Sequence, residues 1–186
     1  MSSILSKNQI NILSLLSKDK LVVESFYLTG GTALAEFYLQ HRLSEDLDFF
    51  SEKEFDPAFI SSIKTEFTYF PFERIESKKK FGDLYIDSLL DIAVNKLFTI
   101  YQKPRSRDFI DLYFILQQEK TWTVNDLAKN AQIKFGTYVN PLQLSSQFIK
   151  AEILKDYPNM IKNIDDKEWQ EFFMKEAKSL AESKLE

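Results

Sequence analysis

The sequence predicts an α/β protein with an α+β layout, in which a mixed sheet with flanking helices is followed by a helical C-terminal region. Short aromatic and aliphatic runs typical of strands alternate with helical periodicity only in the first half of the chain. From Thr121 onward, the apolar spacing is helical throughout. No linker rich in proline or glycine divides the two parts. We therefore predict a core over residues 1–87 and a helical region, packed on that core, over residues 88–186.

Apolar spacing and turn residues predict the elements of the first half. Residues 7–17 have the spacing of an N-terminal helix, and residues 25–28 are typical of a first strand. Gly30 and Gly31 interrupt the chain before a second helix over residues 33–39. The remaining predictions are a strand at 46–50, a short helix from Asp56 and Pro57 to about Lys64, an aromatic strand at 67–72, a turn or loop at 78–80 and a strand at 84–86.

Capping signals predict the helices of the second half. Ser88 and Asp91 form a capping box that begins a helix, and Pro104 ends this helix after about Gln102. A second helix is expected over residues 106–118. Three further helices follow, one after a capping box at 123–126, one beginning at Pro141 and one over 165–180.

Composition limits the classes of function. The chain has 186 residues with 17 Phe and 8 Tyr, enough to bury a substantial core, and a net charge of −4. Dedicated nucleic-acid binders have a global basic excess that is missing here, so any RNA contact must be a local patch. The lack of cysteine excludes disulfides and thiolate metal sites. Because neither a secretory signal nor a membrane-spanning run is visible, we expect a cytoplasmic protein without a membrane partner.

The segment LTGGTALA, from Leu28 to Ala35, has the pattern of a strand joined to a helix by a tight turn. Glycines at such a turn let backbone N–H groups approach an anion closely, and a helix N-terminus adds partial positive charge. Thr32 is placed to cap the helix. A glycine pair before a helix is usually only a turn, but Gly30, Gly31 and Thr32 are our candidates for a phosphate cradle.

Asp46 and Asp48 alternate with Leu47 and Phe49, which places both carboxylates on one face if the segment is a strand. Paired carboxylates of this kind suit Mg²⁺, which usually takes one or two of them plus phosphate oxygens. An isolated Asp-x-Asp is usually a solvated strand end. Fourteen residues separate Gly31 from Asp46, enough for one helix and a return turn, so the two motifs together favour nucleotidyl transfer.

The combination of GGTALA, RLSEDLDFF, a lysine-bearing helix and RDFIDLY resembles the AbiEii/AbiGii toxin family of nucleotidyltransferases over about residues 26–116. The resemblance implies a DNA polymerase β-like nucleotidyltransferase fold, an NTP substrate and a two-metal Mg²⁺ site. Several members are toxins of bacterial toxin–antitoxin or phage-defence pairs, which implies a cognate antitoxin as a partner. Some relatives add nucleotides to the 3′ end of tRNA.

Three residues of the second half complete the catalytic candidates, which are Asp46, Asp48, Lys96, Asp108 and Asp111. The resemblance implies that Lys96 binds nucleotide phosphate, although a lysine in an apolar helix often only snorkels. Asp108 lies in a first turn, where an acid commonly complements the helix dipole. Asp111 is surrounded by apolar residues and needs a partner such as Lys96 or Arg42, so a catalytic and a structural role are about equally supported.

The remaining candidates lie around the motifs. Arg42 and Ser44 precede the carboxylates within the same motif and are further candidates for nucleotide binding. Enzymes of this fold commonly use a third carboxylate on an adjacent strand, and Glu66 is the best candidate for this third metal ligand. A local basic rim for RNA is expected from Lys78, Lys79, Lys80, Lys103, Arg105 and Arg107.

These patterns lead to a functional hypothesis. An acceptor hydroxyl, with the tRNA 3′ end as the first candidate, would receive a nucleoside monophosphate from an NTP in a Mg²⁺-dependent reaction. The protein would then be the toxin of a toxin–antitoxin or phage-defence pair. Two alternatives are a catalytically reduced binding module with the same fold and a nucleotidyltransferase that modifies a small molecule.

Overall fold

The computed structural model describes residues 3–56 and 65–182, and the chain divides into two compact units, residues 1–92 and 93–186. The helix predicted from Asp56 to Lys64 lies, from position 57 onward, outside the described residues.

The first unit contains a mixed sheet, as the sequence predicted, and the sheet has five strands. The strands are β1 (Tyr27–Thr29), β2 (Asp48–Ser51), β3 (Glu66–Tyr69), β4 (Lys79–Phe81) and β5 (Leu84–Ile86). Their order in the sheet is β3-β2-β1-β5-β4. Strand β1 pairs antiparallel with β2 and parallel with β5, β2 pairs parallel with β3, and β4 pairs antiparallel with β5.

The register of the sheet sorts side chains onto two faces. Asp48 is paired with Thr29 on one side and with Glu66 on the other, so these three residues form a row on one face. The next row belongs to the opposite face and includes Leu28 and Phe49, which are both buried. One face therefore supplies apolar core, and the other carries two carboxylates in adjacent strands.

The helices of the first unit differ from the prediction in two places. Helix α1 (Lys7–Leu16) was expected, whereas α2 (Lys20–Ser25), capped by Asp19, was not. Because α2 includes position 25, β1 begins only at Tyr27. Helix α3 (Gly30–Leu34) continues as a π-helical turn (Ala35–Leu39).

The lysine-rich segment at 78–80 was predicted as a turn or loop, and this was wrong in part because Lys79 and Lys80 belong to β4. Pairing with β5 through a turn at Gly82, whose φ is +58°, makes this polar segment a strand. Strand β3 ends at Tyr69, earlier than expected, close to Pro71, which has no N–H for a ladder.

The second unit is helical, as predicted. It contains α5 (Ser106–Gln118), α6 (Val124–Phe135), α7 (Pro141–Phe148), a 3₁₀ turn (Ile149–Glu152), α8 (Asp166–Glu182) and most of α4 (Leu89–Gln102). Phe109, Phe148 and Phe173 are fully buried, and the ring centroids of Phe109 and Phe173 lie 4.8 Å apart. The capping box predicted at Thr123 is present. At Ser88, the hydroxyl accepts a hydrogen bond from the backbone N–H of Asp91 and donates one to the Asp91 carboxylate. No helix among the described residues is long and apolar enough to cross a membrane.

Candidate functional site

The glycine turn and the carboxylate motif meet in the first unit. Gly30 has a φ of +71°, a conformation that favours glycine. A β-carbon at this position would overlap Oδ2 of Asp48 and lie 3.0 Å from its Cγ. The missing side chain of Gly30 therefore makes room for the Asp48 carboxylate.

Gly31 likewise leaves room for two other candidate residues, Arg42 and Ser44. A β-carbon here would overlap Nη2 of Arg42 and lie 2.9 Å from Oγ of Ser44. Arg42 is 3% exposed and donates a hydrogen bond from Nη1 to the carbonyl of Leu43 at 2.8 Å. Gln9 donates to the carbonyl of Ser44 at 2.8 Å, which fixes this loop to α1. The predicted nucleotide-binding residues Gly31, Arg42 and Ser44 are thus neighbours.

Thr32 does not cap the helix, contrary to the sequence expectation. The helix begins at Gly30 with Thr29 as its N-cap, and Thr29 makes no side-chain capping bond. The Thr32 hydroxyl instead donates to the backbone carbonyl of Asp46. Thr32 therefore fixes the segment that carries Asp46 to α3.

The two aspartates occupy different environments. Asp48 is the half-buried first residue of β2, whereas Asp46 is exposed and lies in the preceding loop, so only one of them is within the strand. Leu47 and Phe49 are buried, which means that the predicted alternation of burial extends back to Asp46. Glu66 is exposed at the start of β3 and is directly paired with Asp48.

These side chains offer Mg²⁺ a partial set of ligands. Within residues 3–56 and 65–182, no three His, Cys, Asp or Glu side chains come together as a ready metal-binding group. Mg²⁺ usually retains water and binds one or two carboxylates plus substrate phosphate. Asp48, with Glu66 on the adjacent strand or Asp46 beside it, supplies such a partial set of hard oxygen donors. The residues present would fit a Mg²⁺ ion only if its remaining ligands came from water and nucleotide.

Sequence reasoning missed Asp87, a fully buried carboxylate directly after β5. The Thr29 hydroxyl donates to its Oδ2 at 2.8 Å, and the Tyr38 hydroxyl donates to its backbone carbonyl at 2.7 Å. Burial, together with the charge of Asp87, raises the pKa of Tyr38 to about 12. Asp87 is thereby hydrogen-bonded to Thr29 and Tyr38, which lie on either side of the glycine turn in sequence. An acid that directly follows the apolar run 84–86 was the available signal.

The candidates of the second unit form a buried ion cluster. Lys96 Nζ lies 2.8 Å from Oδ1 of Asp108 and 2.7 Å from Oδ2 of Asp111. Both carboxylates are fully buried, and Lys96 is 8% exposed, so the lysine does not snorkel to the surface. Arg105 Nε also contacts Asp108, at 2.9 Å. The expectation that Asp111 has a basic partner is confirmed with Lys96, and Asp108 does more than complement a helix dipole.

Sequence comparisons found a family model and a relative that match this chain. The family model described as "Nucleotidyl transferase AbiEii toxin, Type IV TA system" matches residues 14–83 and 61–182. An uncharacterized protein of Aquifex aeolicus (strain VF5) is 32% identical over 142 residues, which cover 61% of this chain and 68% of that protein.

Two crystal structures from Helicobacter pylori show the same fold. JHP933 has a TM-score of 0.55 at 19% identity, over 96% of this chain and 94% of its own. A protein named "putative nucleotidyltransferase" has a TM-score of 0.56 at 20% identity, over 98% and 99% of the two chains. The match to the family model spans most of the chain and shows that this protein belongs to the AbiEii toxin family of nucleotidyltransferases.

Proposed function

We propose that the protein transfers a nucleoside monophosphate from an NTP to an acceptor hydroxyl in a Mg²⁺-dependent reaction. The observation that carries the proposal is the contact between the glycine turn and Asp48, with Glu66 next to Asp48 in the sheet. A phosphate-binding turn and hard oxygen ligands are thereby adjacent, as nucleotidyl transfer requires.

Metal binding and phosphate binding are assigned to different residues of the first unit. Asp46, Asp48 and Glu66 would hold Mg²⁺, and the ion would supply positive charge to neutralise the phosphate oxygens. The Arg42 guanidinium and the Ser44 hydroxyl donate hydrogen bonds to phosphate, beside the cradle formed by Gly30, Gly31 and Thr32. The acceptor hydroxyl oxygen attacks the α-phosphorus in line, and a new P–O bond forms as the bond from the α-phosphorus to the bridging oxygen of pyrophosphate breaks. Pyrophosphate leaves, and the hydroxyl proton passes to solvent.

Lys96, Asp108 and Asp111 remain proposed catalytic residues of the second unit. The Lys96 ammonium is already engaged by two carboxylates, so binding a nucleotide phosphate requires it to exchange one of these partners. The stability of the cluster and its role in catalysis must therefore be measured separately.

The acceptor that we propose is the 3′ end of tRNA, and the biological role is that of a toxin controlled by a cognate antitoxin. The type IV toxin–antitoxin description of the family supports the role. A toxin that modifies tRNA would act in the cytoplasm, where phage defence also takes place.

The test is incubation of the protein with Mg²⁺, each of the four labelled NTPs and total tRNA. We expect label at the tRNA 3′ end and slower growth of cells that express the protein without a partner, with both effects lost in Asp48→Asn. If the protein binds NTP but labels no RNA, a small-molecule acceptor becomes the better hypothesis. If it binds no NTP, the catalytically reduced binding module is favoured.

A further inference from the structure

The Asp108 carboxylate is shared by two cations. Its Oδ1 atom lies 2.8 Å from Lys96 Nζ and also accepts a hydrogen bond from Nη2 of Arg105 at 3.3 Å. Its Oδ2 atom accepts a hydrogen bond from Nε of Arg105 at 2.9 Å. The Arg105 guanidinium therefore binds both oxygens of Asp108, a bidentate geometry that adds strength and directional specificity to the pair.

Local structure holds Arg105 in this position. Arg105 is the N-cap residue of α5, with an extended backbone (φ −131°, ψ 153°), and its side chain makes no capping bond. Its carbonyl accepts a hydrogen bond from the backbone N–H of Asp108 at 3.0 Å. The next residue, Ser106, donates from its backbone N–H to the Asp156 carboxylate at 2.9 Å. These two bonds fix the start of α5, so the contact of Arg105 with Asp108 is built into the first turn.

Burial distinguishes Arg105 from the rest of the cluster. Its side chain is 43% exposed, whereas that of Lys96 is 10% exposed. The carboxylates of Asp108 and Asp111 are fully buried. A buried carboxylate that loses its cation is strongly destabilising. Because Arg105 binds both oxygens of Asp108, Lys96 can leave Asp108 while that carboxylate remains paired.

These contacts contain no surplus of positive charge. The two cations, Lys96 and Arg105, meet the two buried carboxylates of Asp108 and Asp111. The Asp156 carboxylate adds a third negative charge, which acts on Arg105. The closed cluster is therefore not a ready anion site. A phosphate gains access to the Lys96 ammonium only when another cation compensates a carboxylate that Lys96 gives up.

We propose that Arg105 is a positioning residue that holds Asp108 and thereby releases Lys96 to bind a phosphate oxygen of the nucleotide. The inference rests on the proposed function, in which Lys96 exchanges a carboxylate for phosphate. Arg105 binds Asp108 before and after this exchange and acts on the nucleotide through Lys96.

The test is calorimetric titration with Mg²⁺ and whichever of the four NTPs the wild type binds most tightly. In Arg105→Gln, Asp108 depends more strongly on Lys96, so the Kd of the NTP should rise about tenfold or more. Asp108→Asn removes the charge that Arg105 compensates. In that background, Arg105→Gln should therefore change the Kd by less than about twofold.

Arg107→Gln is the matched control, because it removes the same charge two residues further along α5. The Arg107 side chain makes no hydrogen bond or ion pair within residues 3–56 and 65–182, and its loss should leave the Kd of the NTP within about twofold of the wild-type value. Arg105→Lys keeps a charge without the fork and should raise the Kd by less than Arg105→Gln does. It replaces Arg105→Gln in both backgrounds if urea titration shows that the glutamine variant does not fold.

Three results would overturn the inference: a wild-type Kd in Arg105→Gln, an equal rise in Arg107→Gln, or an equal rise in the Asp108→Asn background. The last result would mean that Arg105 contacts the nucleotide directly or supports only the fold. Absent NTP binding by the wild type would instead contradict the proposed function.

Discussion

Alanine at Gly30 should separate the role of this turn in folding from its role in the reaction. Gly30 and Gly82 both have positive φ values, +71° and +58°. A β-carbon in this region costs about 1–2 kcal/mol, so Gly30→Ala and Gly82→Ala should lose similar stability from backbone strain. At Gly82 nothing lies within 4 Å of the added carbon, whereas at Gly30 it overlaps the Asp48 carboxylate.

Asp48 must therefore move by about 1 Å in Gly30→Ala, and a displacement of this size at a reacting centre costs on the order of 100-fold in rate. We expect both variants to melt about 2–8 °C below the wild type. Only Gly30→Ala should show the large loss of nucleotide transfer from labelled NTP. Wild-type transfer by Gly30→Ala, or an equal loss in Gly82→Ala, would refute the reasoning.

Three further predictions concern other parts of the molecule. Lys96→Met should lower the free energy of unfolding by about 3–5 kcal/mol in urea titrations, because the buried Asp111 loses its lysine; an unchanged urea midpoint would contradict this. Gly31→Val should displace Arg42, and the loss of NTP-binding free energy should be larger than the loss of folding free energy. A large drop in melting temperature without a separate binding defect would instead favour a purely structural turn. Tyr38 has its pKa raised from 10.0 to about 12, so its stabilising contribution is complete below pH 10 and is lost as the pH rises to 12. Tyr38→Phe should accordingly lose less stability than the wild type across this range, and identical urea midpoints at each pH would contradict the assignment.

Local signals predicted the helical second half well. Helix α5 has the predicted bounds, Ser106–Gln118, and the apolar stripe that follows Pro104 was a sufficient local signal for them. The capping box at Thr123 identified the start of α6 for the same reason. Element type and extent follow from the sequence where neighbouring residues determine them.

Pairing with other segments, near or far in sequence, explains these two misses. Strand β4 is polar and exposed, and it is a strand only because β5 pairs with it. The role of Asp87 depends on hydrogen bonds from Thr29 and Tyr38, 58 and 49 residues away in sequence. No local pattern contains the two hydrogen bonds to Asp87, so the sequence could not predict them.

The candidate site was also predictable only in part. Motifs identified Asp48 and Arg42 as candidate residues, but not that they occupy the space beside Gly30 and Gly31. Burial of Asp111 in an apolar helix indicated a basic partner, while the sharing of Lys96 with Asp108 became clear only from the packing of α4 and α5.

Calorimetric titration of the protein with NTP, in the presence and absence of Mg²⁺, tests the central claim most directly. The account predicts Mg²⁺-dependent NTP binding by the wild type and its loss in Asp46→Asn and Asp48→Asn, with unchanged circular dichroism spectra. Binding of wild-type strength in both variants would contradict the assignment of the metal and nucleotide site to this carboxylate pair.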